Sequence, residues 1–192
     1  MTSSVTTATN IPPDHHVVLY AGDNVLIESL AAYVSEGFDA GETVVIIATP
    51  DHLYALNAAL AARQYDLEAF IRDRQYIVMD AAATLKTFMQ ENWPAKDLFF
   101  HALSPILEKA GAGNRKVRAF GEMVMLLWKN HLHGATIQLE QLWNDLSQEF
   151  NFTLLCAYPI AAFNHGLKSA LKHVCKAHTT TTLLPADIVM DY

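Results

Sequence analysis

The chain has 192 residues, 52% of them hydrophobic, and a formal net charge of -7 at pH 7. A chain of this length and apolar content can bury the core of one globular domain. Its acidic balance argues against direct binding of nucleic acid, because a protein that tracks phosphates requires a dense basic patch. No apolar run approaches the ~18 to 20 residues that cross a bilayer, and the N-terminus lacks the basic and apolar regions of a secretion signal. We therefore expect a cytoplasmic protein without a membrane partner.

The beginning of the chain and its cysteines both indicate a simple organisation. Residues 1–14 are rich in Ser, Thr and Pro and carry no periodic apolar pattern, which is typical of a flexible leader. Residues 15–192 are then expected to form one domain, because no further linker or repeat interrupts them. Cys156 and Cys175 are too few for a disulfide framework, and we expect both to be reduced, buried thiols.

The folded part alternates short apolar runs with longer helical patterns. The runs HVVLYA, TVVIIAT, YIVMD, KVRAF and FTLLCAY are hydrophobic on both faces, which is typical of buried parallel strands. Between the first two runs, DNVLIESLAAYVSEGFDAG repeats apolar residues at helical spacing and ends near Gly37 and Gly41. This βαβ pattern recurs along the chain. It predicts an α/β fold, a three-layer sandwich with a mainly parallel central sheet.

Particular residues mark helix boundaries in the later segments. Thr49 and Pro50 suit the cap and first turn of a helix after the second strand, and Asp80 suits a cap after the third. The long segment PAKDLFFHALSPILEKAG contains Pro105, which predicts a kink or a split in its helix. The helix predicted over TIQLEQLWNDLSQEF places Glu140 on the flank of its apolar stripe.

Ligands of open α/β sheets bind beyond the carboxyl ends of the strands, where this chain carries many polar residues. Gly121 and Glu122 follow the fourth strand, where the glycine permits a sharp turn and the next helix favours a carboxylate. Helix capping or ordinary surface placement also accounts for several of these polar residues, among them Asp23, Asp80 and His52. We predict ligand-binding residues at this edge and in the adjoining strands: Tyr20, Asp23, Asn24, Thr49, His52, Asp80, Arg118, Glu122 and Tyr158.

The residue spacings argue against several other kinds of site. The stretch YAGDNVLIESL lacks the lysine and second glycine of a phosphate loop, its carboxylates would repel phosphate, and the G-x-G-x-x-G spacing is absent. His131 and His133 are two apart, and Cys175 and His178 have no second pair nearby, so we predict neither a metal nor a cofactor. Cys156 resembles a core thiol, and without a nucleophile elbow we predict no catalytic residue.

Arg118 is a charged residue within a strand that is predicted to be buried. Because a buried guanidinium requires a carboxylate or another polar partner, we expect an ion pair with Glu122 or Glu140, or else direct contact with a ligand. The large apolar residues of the neighbouring helices are expected in the core: Met125, Trp128 and Trp143.

Three motifs in the second half of the chain carry a family resemblance: RAFGEM, LE-x-LWN and LLCAYP. Together with HHVVLYAGDN, GETVVIIATPDH and YIVMDAAATLKTFM in the first half, they closely resemble the MEDS domain. That domain is the sensory domain of methanogen and methylotroph regulators and is named with the dichloromethane-responsive repressor DcmR. The resemblance spans about His15 to the C-terminal HTTTTLLP.

The resemblance implies a RecA/KaiC-like α/β core that lacks the phosphate loop, which agrees with the absence of that loop from the sequence. It also implies a sensory input module, since members of the family are usually fused to DNA-binding or histidine-kinase segments. Such modules are thought to recognise small, often hydrocarbon-like molecules. We expect this chain, which carries no such output segment, to signal through a partner or by self-association.

The predicted function is therefore a non-catalytic sensory domain that binds a small molecule. A histidine kinase or transcription regulator acting in trans, or a second copy in a homodimer, would relay the signal. One alternative is a structural or regulatory interaction protein with a vestigial nucleotide-type pocket. Another is an enzyme that uses Asp23, His52 or Glu122 as acid or base.

The C-terminal stretch TTTTLLPADIVMDY bears on the predicted dimer because it carries apolar residues beyond the last clear helix. These residues can cover a second copy of the chain, or they can pack on its own sheet as an added edge strand. The sequence leaves both arrangements open for Leu183, Leu184, Ile188, Val189 and Met190.

Overall fold

The structure, a computed structural model, describes residues 14–163 and 168–184. The strands are β1 (His15–Tyr20), β2 (Thr43–Ala48), β3 (Tyr76–Asp80), β4 (Met89–Gln90), β5 (Trp93–Pro94), β6 (Val117–Gly121), β7 (Phe152–Pro159) and β8 (Thr180–Leu184). The α-helices are α1 (Asp23–Asp39), α2 (Pro50–Ala62), α3 (Leu67–Arg72), α4 (Ala81–Phe88), α5 (Lys96–Ala110), α6 (Met123–Lys129), α7 (His133–Leu146) and α8 (Lys168–Ala177). Short 3₁₀ turns cover Ala112–Asn114 and Ile160–Phe163.

A six-stranded sheet in the order β3-β2-β6-β7-β1-β8 forms the centre of the fold. All of its neighbouring strands run parallel, whereas β4 and β5 form a separate antiparallel pair. Strand β6 lies beside β2, with Thr43 opposite Val117 and Ile47 opposite Gly121. The carboxyl ends of β2 and β6 therefore meet, although about 70 residues separate them along the chain.

Helices cover both faces of the sheet and create two hydrophobic clusters. Helices α1 to α3 pack on one face, where alternate strand residues such as Val18, Ile46 and Phe120 point toward them. Helices α4 to α8 pack on the other face, against residues such as Val17 and Cys156. The alternation follows from the two-residue period of a strand. The predicted three-layer α/β sandwich with a mainly parallel sheet is confirmed.

The predicted element boundaries agree closely with the structure. Thr49 and Pro50 stand at the N-cap and first turn of α2, and the Asp80 side chain caps α4 by accepting a hydrogen bond from the Ala83 N–H at 2.7 Å. Pro105 does not split its segment, because α5 continues from Lys96 to Ala110. A proline removes only its own N–H from the helix ladder, and the apolar side of α5 packs on the sheet.

The two ends of the chain fall partly outside the described residues. Of the predicted leader, residues 1–14, only Asp14 is described, and its carbonyl accepts a hydrogen bond from the Leu154 N–H at 2.8 Å. Leu183 and Leu184 lie in β8, which extends the chain's own sheet beside β1. The other apolar residues of the tail lie outside the described residues: Ile188, Val189 and Met190.

Within residues 14–163 and 168–184, no helix has both the length and the hydropathy to cross a membrane. Both cysteines are free; Cys156 is buried as predicted, whereas Cys175 is only partly buried. The reason is that Val174, its neighbour on α8, takes the fully buried position on that helix. The predicted core residues Met125, Trp128 and Trp143 are all buried.

Candidate functional site

The carboxyl ends of β2 and β6 bring Thr49 and Glu122 into contact. Glu122 Oε2 accepts hydrogen bonds from the Thr49 backbone N–H at 2.8 Å and from the Thr49 hydroxyl at 3.2 Å. Only 2% of Glu122 is exposed, so this carboxylate is buried at the rim of the sheet. Because Thr49 uses its hydroxyl in this way, it makes no side-chain cap for α2. The pair joins the start of α2 to the start of α6.

His52, in the first turn of α2, stands between Glu122 and Asp23. Its Nδ1 lies 2.8 Å from Glu122 Oε1, and its Nε2 lies 3.7 Å from Asp23 Oδ1. The Nδ1 atom is buried and, despite the short distance, is not aligned to donate a hydrogen bond. Three positions that the sequence singled out for acid–base chemistry thus converge in a row of carboxylate, imidazole and carboxylate.

Electrostatics favour the charged forms of Glu122 and His52. Burial opposes ionisation of Glu122, but His52 and the Thr49 N–H outweigh it and lower the pKa of this carboxyl. Contact with Glu122 raises the pKa of His52, partly offset by burial, and Asp23 adds to the rise. Burial also raises the pKa of Tyr20, helped by Glu122 and Asp23, so its phenol stays protonated. The rim of the site is therefore acidic.

Two further predicted residues lie near the carboxyl edge without joining this cluster. Asn24 is exposed in the first turn of α1. Asp80 follows β3 at the far side of the sheet, where β2 separates that strand from β6. Its side chain caps α4, which is the structural role considered for it from the sequence.

Arg118 lies near the amino end of β6 and faces α1, away from Glu122. Its Nε donates to Glu42 Oε2 at 2.5 Å, and its Nη1 donates to the Tyr33 carbonyl at 2.7 Å and approaches Glu36 at 3.5 Å. The guanidinium also stacks over the Tyr33 ring, 4.7 Å from its centroid. The predicted ion pair therefore exists, but the predicted partners were wrong. Glu42 precedes the neighbouring strand β2, and this adjacency depends on strand order.

Tyr158, the last of the predicted residues, is fully buried in β7 and donates a hydrogen bond of 2.6 Å to Glu140 Oε1. The expectation that Glu140 lies on a helix flank was wrong, because its side chain is completely buried between α7 and the sheet. Two histidines and a cysteine lie close to Glu140 Oε2: His15 and His178 at 3.4 Å and Cys156 at 3.5 Å. Sequence reasoning missed this cluster.

A weak signal for the cluster is present in the sequence. Glu140 is a charged residue between Leu139 and Leu142, both of which lie on the buried side of α7. A carboxylate so close to an apolar stripe requires a polar partner. The partners come from β1, β7 and the end of α8, however, and no local spacing connects them.

Two concavities of the surface lie elsewhere. One of about 710 Å³ lies at the amino ends of the strands, with Glu42, Arg115 and Lys116 among its lining residues. Another of about 730 Å³ lies at the pair of β4 and β5, beside Trp93. Both are open depressions, and none of the predicted ligand-binding residues lines either of them. We favour the carboxyl edge as the candidate site because buried, charged and converging side chains are found there.

Comparison with known proteins gives one clear result. A family model described as MEDS, the methanogen/methylotroph, DcmR sensory domain, matches residues 14–179. The match includes β1 to β7 and all of the α-helices. No curated protein matches the chain.

Proposed function

Because the chain belongs to the MEDS family of sensory domains, we propose that it is a non-catalytic sensor that binds a small molecule at the carboxyl edge of its sheet. The buried carboxylate of Glu122 is the observation that carries this proposal. The Glu122 side chain contacts Thr49 after the end of β2 and His52 in helix α2, and the Glu122 backbone begins α6. A molecule that binds Glu122 or His52 would therefore shift α2 relative to α6.

The site favours ligands that donate hydrogen bonds. Glu122 and Asp23 supply the acceptor oxygens for such ligands. The acidic rim would repel phosphate, so nucleotides are disfavoured. The buried ring of Tyr20 adds apolar surface near these polar atoms, since Glu122 and Asp23 are close enough to raise the pKa of its phenol. We infer a small ligand with an apolar body and one or two donor groups, such as a short alcohol or amine.

The experiment is a thermal-shift and calorimetric screen of the full chain. The probes are short-chain alcohols, short-chain primary and tertiary amines, and ATP with magnesium. Ligands that bind the native state raise Tm in proportion to their occupancy. We expect a shift with at least one alcohol or amine and none with ATP.

Variants locate the binding site in the same screen. Glu122→Gln removes the charge and keeps the shape of the side chain, so the shift should disappear. Glu68→Gln, on the exposed side of α3, is the matched control and should retain it. An equal shift in Glu122→Gln, or a micromolar affinity for ATP, would contradict the proposed site.

We further propose that the signal passes through a homodimer or a partner in trans, either a histidine kinase or a transcription regulator. The edge strand β8 supports self-association, since Leu183 is 60% exposed there and an exposed edge strand can pair with another chain. Light scattering at tens of micromolar should give a dimer mass. Leu183→Lys should lower that mass to a monomer, whereas Tyr54→Lys, at an exposed apolar position on α2, should not. A monomeric wild-type chain would disprove the dimer.

The same two experiments separate the sensor from its alternative. If the chain forms a dimer but responds to none of the probes, the result would favour an interaction protein in which the carboxyl-edge site binds no ligand. A response to a probe that depends on Glu122 would favour the sensor.

A further inference from the structure

A second cluster of polar side chains lies inside the fold, apart from the carboxyl edge. His15 begins β1, Cys156 lies in β7, Glu140 lies in α7 and His178 follows α8. All four are buried between the sheet and the helices on its α4–α8 face, with side chains of His15, Glu140 and His178 at most 1% exposed. Two imidazoles, a thiol and a carboxylate are all metal-binding groups.

The spacing of the four ligand atoms agrees with a tetrahedral metal site. Two nitrogen or oxygen atoms bound to zinc at ~2.0 to 2.1 Å lie about 3.3 to 3.4 Å apart, and a nitrogen or oxygen lies about 3.5 Å from a bound sulfur. Glu140 Oε2 lies 3.4 Å from His15 Nε2, 3.4 Å from His178 Nε2 and 3.5 Å from Cys156 Sγ. His15 Nε2 lies 3.5 Å from the same sulfur. The remaining pairs are within 4.8 Å.

The other ring nitrogens of both histidines are already engaged by oxygen acceptors. His178 Nδ1 lies 2.7 Å from the Val174 carbonyl, and His15 Nδ1 lies 2.6 Å from Asn144 Oδ1. An acceptor at Nδ1 places the proton on that atom, so the Nε2 of a neutral ring carries a lone pair directed into the cluster. This is the outer hydrogen bond that orients metal-binding histidines.

An ion would resolve an otherwise unfavourable contact at the centre of the cluster. His178 Nε2 is fully buried and has no hydrogen-bond partner. It faces Glu140 Oε2, and the Val174 carbonyl beside Nδ1 leaves the lone pair of a neutral ring on Nε2. A lone pair and a carboxylate oxygen then meet at 3.4 Å with no proton between them. Tyr158 holds the other carboxylate oxygen, Oε1, and leaves Oε2 for the centre.

We propose that His15, Glu140, Cys156 and His178 form a binding site for a divalent transition-metal ion, with zinc as the best match. The thiol disfavours magnesium and calcium, which prefer sets of oxygen ligands. On binding, the Cys156 S–H bond breaks, its proton passes to solvent and a sulfur–metal bond forms. One thiolate and one carboxylate then balance the two positive charges of the ion, so the buried site becomes neutral. Four protein ligands leave no open position, which indicates a structural role.

The sequence alone predicted no metal because the four residues of this site are far apart along the chain. Positions 15, 140 and 156 lie in β1, α7 and β7, and position 178 follows α8, so none of them forms a short metal-binding motif with another. Cys175, which does lie three residues before His178, is outside the cluster and only partly buried. Zinc at this site would connect His178, and hence the segment that leads from α8 into β8, to the core of the domain.

The test is a titration of the metal-free full chain with cobalt(II) and zinc chloride. The proposal predicts one ion per chain and, for cobalt, the visible bands of a tetrahedral centre with a thiolate-to-metal charge-transfer band. Zinc should displace cobalt and abolish these bands. A folded wild-type chain that binds neither ion stoichiometrically would overturn the proposal and would show that the cluster is a buried hydrogen-bond network.

Variants assign the ligands. Cys156→Ser should lose the charge-transfer band, whereas Cys175→Ser, which changes the other cysteine, should keep it. Asn144→Ala removes an outer hydrogen bond and leaves every ligand in place, so zinc affinity should fall by about 10- to 100-fold. Near-UV circular dichroism must show that each variant is folded. An unchanged cobalt spectrum in folded Cys156→Ser would also overturn the proposal.

Discussion

The contact of Arg118 with Glu42 provides a sensitive test of the packing between α1 and the sheet. In Arg118→Met the side chain keeps most of its length but loses the charge. The change leaves Glu42, which is 16% exposed, without its partner, and it deprives the Tyr33 carbonyl of a donor. It also removes the guanidinium from the Tyr33 ring.

The expected magnitude follows from these losses. Breaking a buried ion pair by removing one partner costs about 3 to 5 kcal/mol, and an exposed pair contributes about 0 to 1 kcal/mol. Arg118 and Glu42 are 15% and 16% exposed, so the loss should lie between these ranges. The lost hydrogen bond to Tyr33 adds about 1 kcal/mol. We predict that Arg118→Met lowers the free energy of unfolding by about 2 to 4 kcal/mol.

A double-mutant cycle in urea, followed by far-UV circular dichroism, is the appropriate assay. Glu42→Gln and the double variant complete the cycle, and we expect a coupling energy of about 1 to 2 kcal/mol. Glu28→Gln is a suitable control, since Glu28 pairs with Arg63 on the surface at 2.9 Å. A coupling energy near zero, or a loss below about 1 kcal/mol in Arg118→Met, would refute the role assigned to this pair.

Two further predictions concern pH and close packing. Folding raises the pKa of His52 above 6.5 and lowers the pKa of Glu122 below 4.5. The stabilisation that each residue gives the other should therefore be complete between pH 4.5 and pH 6.5. It should fade as pH rises through the folded-state pKa of His52 and as pH falls through that of Glu122. The stability difference between wild type and His52→Gln in urea should therefore be larger at pH 5.5 than at pH 8.5; the opposite order would disprove the pairing. Gly37→Ala should destabilise the chain by about 1 to 3 kcal/mol, since the new Cβ would lie 2.7 Å from Arg118 Cδ. Gly134→Ala meets only the half-exposed Trp93 ring, at 2.8 Å, and should have little effect; equal losses in thermal unfolding would contradict this packing.

Much of the fold follows from local patterns in the sequence. Runs such as TVVIIA are apolar on both faces, and every residue of β2 is buried in the structure. Helix starts at Pro50 and after Asp80 follow from capping chemistry, which depends on only a few neighbouring residues. The sequence does not decide the place of edge strand β8, because its threonines carry no apolar alternation and it pairs with a strand far away in sequence.

Sites that depend on strand order could be predicted only in part. The carboxyl-edge residues were found because each follows its own strand, and β2 and β6 then bring Thr49 to Glu122. The partner of Arg118 was missed because Glu42 becomes its neighbour only through the pairing of β2 with β6. The surroundings of Glu140 were missed for the same reason, since its neighbours come from separate elements on both sides of α7 in the chain.

Amide chemical-shift mapping of the ¹⁵N-labelled chain tests the proposed sensor most directly. The Thr49 N–H donates to Glu122 Oε2, so its resonance reports on that carboxylate. During titration with the alcohol or amine that gives the largest thermal shift, we expect saturable changes centred on Thr49, His52 and Glu122, and their loss in Glu122→Gln. Changes centred instead on the amino-end concavity near Arg115 and Lys116, or changes that persist in Glu122→Gln, would contradict it.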